Sequence, residues 1–187
     1  MPRPTLQHDD SDVVYRVDPR GRLTFVNDGW NAFATENRTP ELMGAAALGR
    51  PMTDFIGGRE TRYIYDRLLA RARDGVQMTL PFRCDSPTER RHMSLTVAAI
   101  GSDEVEFRSH LVDAQPRDSV AVLEPDRPRS DSLLTLCSWC NRGRVGDRWA
   151  EIEEVVAELR LFDADVPRLT HGMCPECVAL VVAEPPL

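Results

Sequence analysis

The chain has 187 residues, a net charge of −7 and a pI near 5.1, with 42% hydrophobic and 28% charged residues. That length is one ordinary domain or two small ones, and the balance of apolar and charged residues excludes wholesale disorder. The acidity argues against a general nucleic-acid or membrane-surface binder. No apolar run approaches the ~20 residues a membrane span needs, and Met1-Pro2-Arg3-Pro4-Thr5 lacks a signal peptide's apolar core, so the expectation is a cytoplasmic protein. All 23 cationic residues are arginine, which excludes P-loop lysines and Schiff-base chemistry.

Val13-Val14-Tyr15-Arg16-Val17 is a β-rich run, Asp18-Pro19-Arg20-Gly21 a turn, and Leu23-Thr24-Phe25-Val26 a second strand, together predicting a hairpin. Asn27 or Asp28 can cap a short helix that places Trp30 and Phe33 on one face. Thr39 to Gly58 reads as a short helix followed by Gly49, Pro51 and a Gly57-Gly58 break. Arg59 to Arg73 predicts a helix with Ile64, Leu68 and Ala72 on one face, ended by Asp74-Gly75. If Ser86-Pro87-Thr88-Glu89 is a hairpin loop, Cys84 faces Arg91, Phe82 faces Met93, Leu80 faces Leu95 and Met78 faces Val97. The apolar residues of both strands then share a face, with Arg83/His92 and Thr79/Thr96 on the other, an agreement that a one-residue slip would destroy. A further strand continues the alternation: Val105, Phe107 and Leu111 on the buried side, Glu106, Arg108 and His110 on a wetter one. The helices between Asp28 and Asp74 are expected to cover the buried face.

Composition shifts over residues 116–131, with Pro116, Pro125 and Pro128 among charged residues, and reads as a linker in which Val120 to Leu123 docks on a neighbour. It separates a first domain at 10–115 from a cysteine module at 132–187. In that module Cys137-Ser138-Trp139-Cys140 and Cys174-Pro175-Glu176-Cys177 are separated by 33 intervening residues. Each C-x2-C turn can aim two thiolates at one ion, and two turns complete the tetrahedral shell that Zn²⁺ prefers. Mononuclear iron, an Fe–S cluster and a redox dithiol use the same residues and stay open. His171 is three residues before Cys174, as a supporting group that donates to a sulfur or as an alternative ligand. Within the spacer, Asp147 can cap a helix from Arg148 to about Leu161, with Trp149, Ile152, Val155, Val156 and Leu159 as its apolar stripe. The module carries five arginines against nine acids; phosphate binding wants the opposite sign, although Arg142, Arg144 and Arg148 cluster.

Two strands, short helices, a longer helix and a three-stranded meander, together with Val17-Asp18-Pro19-Arg20-Gly21-Arg22-Leu23-Thr24-Phe25-Val26-Asn27, make Val13 to Asp113 resemble a PAS domain. The resemblance implies an α+β fold, a five-stranded antiparallel sheet with helices on one face, followed here by a small metal-stabilised module with one main helix. It also implies sensing of a ligand, light or redox state, or homodimerisation. Trp30, Phe33, Phe55, Phe82 and Phe107 are the candidate pocket lining. Cys84 reads as a core residue; His92 and His110 fall on the polar face, which disfavours haem, and the cysteine motif of flavin-binding light sensors is absent. Leu136-Cys137-Ser138-Trp139-Cys140-Asn141-Arg142 and Thr170-His171-Gly172-Met173-Cys174-Pro175-Glu176-Cys177 resemble the C-terminal cysteine segment of bacterial PAS- and GAF-containing signalling proteins. No catalytic motif is present and no kinase, cyclase or helix-turn-helix output domain fits. The expectation is a non-enzymatic sensor that hands its signal to a protein partner.

Overall fold

The computed structural model describes residues 12–161 and 165–182, so the expected limits at 10–11 and 183–187 lie outside the described residues. The first hairpin forms as predicted, with β1 at Val13–Val17 and β2 at Leu23–Val26. Asn27 caps α1, Asp28–Glu36, by accepting the Trp30 N–H. Two single 3-10 turns and α2, Gly44–Ala47, fill the mixed stretch. Helix α3 spans Arg59–Arg73 and closes in a Schellman pattern, Val76 N–H to the Arg71 carbonyl and Gly75 N–H to Ala72.

Strands β3, Met78–Arg83, and β4, Glu89–Ile100, pair in the expected register, Met78 with Val97 through Arg83 with His92. With β5, Glu104–Pro116, they complete a five-stranded antiparallel sheet in the order β2-β1-β5-β4-β3. Two details of β5 differ from expectation. Glu106 and Arg108 are only 5% and 8% exposed; they survive burial because Glu106 accepts from Arg16 Nε at 3.0 Å and Arg108 at 2.8 Å, so the charges are paired. Leu111 is 42% exposed. It falls beside an irregularity in the β4–β5 ladder at His92/Met93, where Val112 has no opposite residue.

Beyond residue 116 the chain does not form one main helix. Strand β6, Arg129–Cys137, pairs in parallel with β9, Val166–Gly172, and antiparallel with β7, Gly143–Val145, which pairs with β8, Arg148–Ala150. The result is a second sheet, β8-β7-β6-β9. Arg148 to Ala150 are strand because Gly146-Asp147 is a two-residue hairpin loop, Gly146 taking φ +57°. Helix α4 is accordingly short, Ile152–Glu158, and starts after Glu151 rather than Asp147. Ile152, Val155 and Val156 are buried, whereas Leu159 is exposed and Trp149 packs from β8. Ile152, Val155 and Val156 join Val120 and Val122, on either side of the start of a 3-10 turn at Ala121–Leu123, in a core beneath the second sheet. A second helix, α5, covers Pro175–Val182.

The larger core runs across both sheets. Tyr15, Val17, Leu68, Val97 and Phe107 belong to one cluster with Cys137, Trp139, Cys174, Cys177 and Val181. The apolar face of the first sheet is thus covered by α3 and, in addition to the expected helices, by residues near the C-terminal end.

A chain of charges ties the same two parts together. Asp85, with a fully buried side chain, accepts from Arg83, from Arg117 at 3.3 Å and from the Arg91 backbone N–H at 3.1 Å. Arg83 reaches on to Glu151 at 2.6 Å, and Arg117 to Glu153 at 2.9 Å. Removing one partner of such a buried set strands the others without compensation. Asp85→Ala is expected to lower the unfolding free energy by about 3–5 kcal/mol, read from the denaturant midpoint. Partial burial alone would raise the Glu153 carboxyl, but its own backbone N–H and the guanidinium groups of Arg117 and Arg90 hold it below its ordinary 4.5. A depressed folded value means this contribution is complete above pH 4.5 and fades as the pH falls through the lower, folded value. The Glu153→Gln chain should therefore show a shallower loss of stability on acidification below that point than the wild type.

Candidate metal centre

Cys137 ends β6, and the chain then turns sharply: Asn141 N–H bonds the Cys137 carbonyl at 2.9 Å and Cys137 N–H the Arg142 carbonyl at 2.8 Å. Asn141 takes φ +57°, a left-handed conformation that asparagine tolerates. This returns Cys140 toward Cys137. The second pair is set by α5: Cys174 precedes its first residue, Pro175, a residue suited to that position, and Cys177 lies in the first turn. The parallel β6–β9 pairing, continued by Ser138 N–H to the Gly172 carbonyl at 2.9 Å, brings the two pairs together.

The four sulfurs all lie within 4.8 Å of one another. Cys140 Sγ and Cys174 Sγ are 3.8 Å apart, and the Cys174 N–H donates to Cys137 Sγ at 3.4 Å. All four cysteines are free of disulfides. In a tetrahedral shell with metal–sulfur bonds of ~2.3 Å, sulfurs stand about 3.8 Å apart, so the donor set and its spacing fit one ion. The proton balance fits too. Hydrogen bonds from the Cys140 and Cys177 thiols, against the cost of burial, hold Cys137 far below the ordinary thiol range. Cys177 is pushed up by sharing its proton with Cys137 and Cys140, and Cys174 by burial, to about 12. A cation at the centre would replace the thiol protons and allow the sulfurs to ionise as ligands.

Arg142, which the spacing argument missed as a participant, stands beside this group. Burial would lower its pKa, but the sulfurs of Cys140 and Cys174 raise it. Its guanidinium is also 4.0 Å from Glu151. His171 is exposed on β9, outside the four-sulfur group.

The C-x2-C turn is clamped to the first sheet. Trp139, almost fully buried, donates its indole N–H to the Pro81 carbonyl at 2.7 Å, and its own carbonyl accepts the Arg83 N–H at 2.8 Å. Thr61 Oγ1 on α3 bonds Ser138 Oγ at 2.8 Å. Gly58, at the start of α3, takes φ +81°, and a Cβ there would stand 3.3 Å from the His171 carbonyl, so this approach requires glycine.

The aromatic candidates form a packed series with residues not foreseen. Trp30 meets Tyr15 at 5.2 Å, Tyr15 stacks on Phe107 at 4.9 Å, Phe107 meets Tyr65 at 5.8 Å, and Tyr65 and Phe82 flank Trp139 at 6.4 and 6.0 Å. Burial raises the Tyr15 and Tyr65 phenols. Phe55 packs at the edge of the same core under the Arg50 guanidinium, at 4.5 Å; Phe33 is half-buried on α1, outside the cluster. Burial likewise pushes the Cys84 thiol up. His110 bonds Asp12 at 2.7 Å.

No family model matches the chain, and no curated protein matches it. Among solved structures, a domain of an HTR-like protein from Haloarcula marismortui ATCC 43049 aligns over 55% of this chain and 99% of its own, with 12% identity and a TM-score of 0.39. Among the described residues no helix is long and apolar enough to cross a membrane.

Replacing any one of the four cysteines with serine is expected to abolish stoichiometric metal binding and to open residues 129–182 to proteolysis, while the β3–β4 hairpin persists. Metal content and limited digestion with mass mapping check both parts.

Proposed function

We propose that this chain is a sensing and protein-interaction module, in which a PAS-like sheet is built onto a structural zinc site and no catalysis is performed. One observation carries the reading: four cysteine sulfurs from two distant turns lie within 4.8 Å of one another, inside the core that the two sheets share. A single ion suits that spacing better than a multi-iron cluster, whose larger core would need the sulfurs further apart. Four thiolates around a d¹⁰ ion make a closed site with no open position for substrate, as structural zinc sites do. The strand order β2-β1-β5-β4-β3, with α3 across β4 and β5, supports the PAS-like reading of the first sheet. Arg142, Arg144 and Arg148 each lie within 4.0 Å of an acid, which leaves little free positive charge for phosphate and favours a protein partner. Four cysteines set as a metal-ligand group rather than as a disulfide framework support a cytoplasmic placement.

A second reading, a redox sensor, draws on Cys140: it is the least buried of the four, with the Arg142 guanidinium nearby. Metal content per chain and an absorption spectrum on anaerobically purified protein separate the two. One zinc with no visible band is the expected result. Iron with charge-transfer bands would move the sensing function to the cysteines, and absence of metal would overturn the metal reading.

A further inference from the structure

We propose that occupancy of the four-cysteine site is transmitted to the interior of the five-stranded sheet through Trp139, so that the site regulates the core it adjoins. This rests on the reading above that the site holds a metal ion. Trp139 is the residue between Ser138 and Cys140, so convergence of Cys137 and Cys140 on one point constrains its backbone. Ion binding to such turns is folding free energy for the turn itself.

On its other side Trp139 makes hydrogen bonds and ring contacts with the first sheet and α3. Its indole N–H is bound to Pro81, its carbonyl to Arg83 N–H, and its ring is flanked by Phe82 and Tyr65. Ser138 adds the bond to Thr61 on α3. From Tyr65 the ring contacts continue through Phe107 and Tyr15 to Trp30 on α1. Arg83, whose N–H the turn engages, also anchors the charged chain through Asp85 and Glu151. The turn is therefore the two-state element, ordered with the ion and loosened without it, and β3 is the first structure to register the difference. Coupling of this kind is reciprocal: whatever disturbs the β3 side of the contact must weaken the hold on the ion.

The test uses the full chain loaded with Zn²⁺. Hydrogen exchange is compared before and after removal of the ion by a chelator, and release to a chromogenic chelator is timed for wild type, Phe82→Leu, Phe82→Ala and Val14→Ala. Phe82 touches Trp139 and no sulfur ligand role is assigned to it, whereas Val14 is buried outside this cluster. Removal of the ion is expected to strip protection from residues 78–83 and 61–65 as well as from the cysteine turns. Both Phe82 variants should release Zn²⁺ faster, by a factor within the about 5–150-fold span of ordinary site-to-site coupling, with Val14→Ala at the wild-type rate. Exchange changes confined to 137–142 and 172–177, or equal acceleration in Val14→Ala, would overturn the proposal. A wild-type chain that retains no Zn²⁺ would overturn the metal reading itself; retention with wild-type release from the Phe82 variants would overturn the coupling alone.

Discussion

The structure depends on one edge. Strand β3 is the last strand of the first sheet, and an uncovered edge leaves backbone groups and an apolar flank open to water or to other chains. Here the edge is taken up by the Cys137–Cys140 turn, which accepts the Arg83 N–H, donates to the Pro81 carbonyl and lays an indole against Phe82. Two needs are met by one contact. The sheet gains a cover for its flank, and the turn gains a rigid support that holds two of its four sulfurs in place.

That contact explains why the charged residues around it are arranged in a chain rather than scattered. Arg83 leaves β3 next to the turn, and its guanidinium must be satisfied at a junction between two cores. Asp85 and Glu151 satisfy it from either side, and Arg117 and Glu153 extend the pairing along the stretch that joins the sheets. Pairs of this sort add little net stability against apolar substitutes, but they specify one docking arrangement, since any slip leaves a buried charge alone.

Much of the first sheet was legible because its signals are local. The β3–β4 register followed from the Ser86–Glu89 loop together with alternation: with that loop Met78, Leu80 and Phe82 meet Val97, Leu95 and Met93 on one face, and a one-residue slip would break the match. The α3 limits followed from Asp74-Gly75 and from a periodic apolar stripe. What alternation could not reveal was the burial of Glu106 and Arg108, because that depends on Arg16 arriving from a strand 90 residues earlier. The cysteine pairs were legible as a ligand set, since spacing constrains them strongly. The helix assigned from Arg148 was not, because Trp149, Ile152, Val155 and Val156 fit a helical period even though the first belongs to a strand. The local cue was Gly146-Asp147, a two-residue hairpin loop outweighed by the stronger apolar pattern.

The role of Trp139 was hidden for a different reason. A tryptophan between two cysteines carries no periodicity, and its partners, Pro81, Phe82 and Tyr65, lie more than 50 residues away. Tyr65 also falls one position beside the Ile64–Leu68–Ala72 stripe, where a sequence pattern assigns it to the margin of the helix face. Only the tertiary arrangement turns that margin into the seam between α3 and the cysteine turn. The consequence is that the two halves cannot be treated as a domain with an inert appendage: the seam residues belong to one core that both sheets share, so a change that loosens the turn bears on the packing of β3 and α3, and a change on the β3 side bears on how firmly the turn is held.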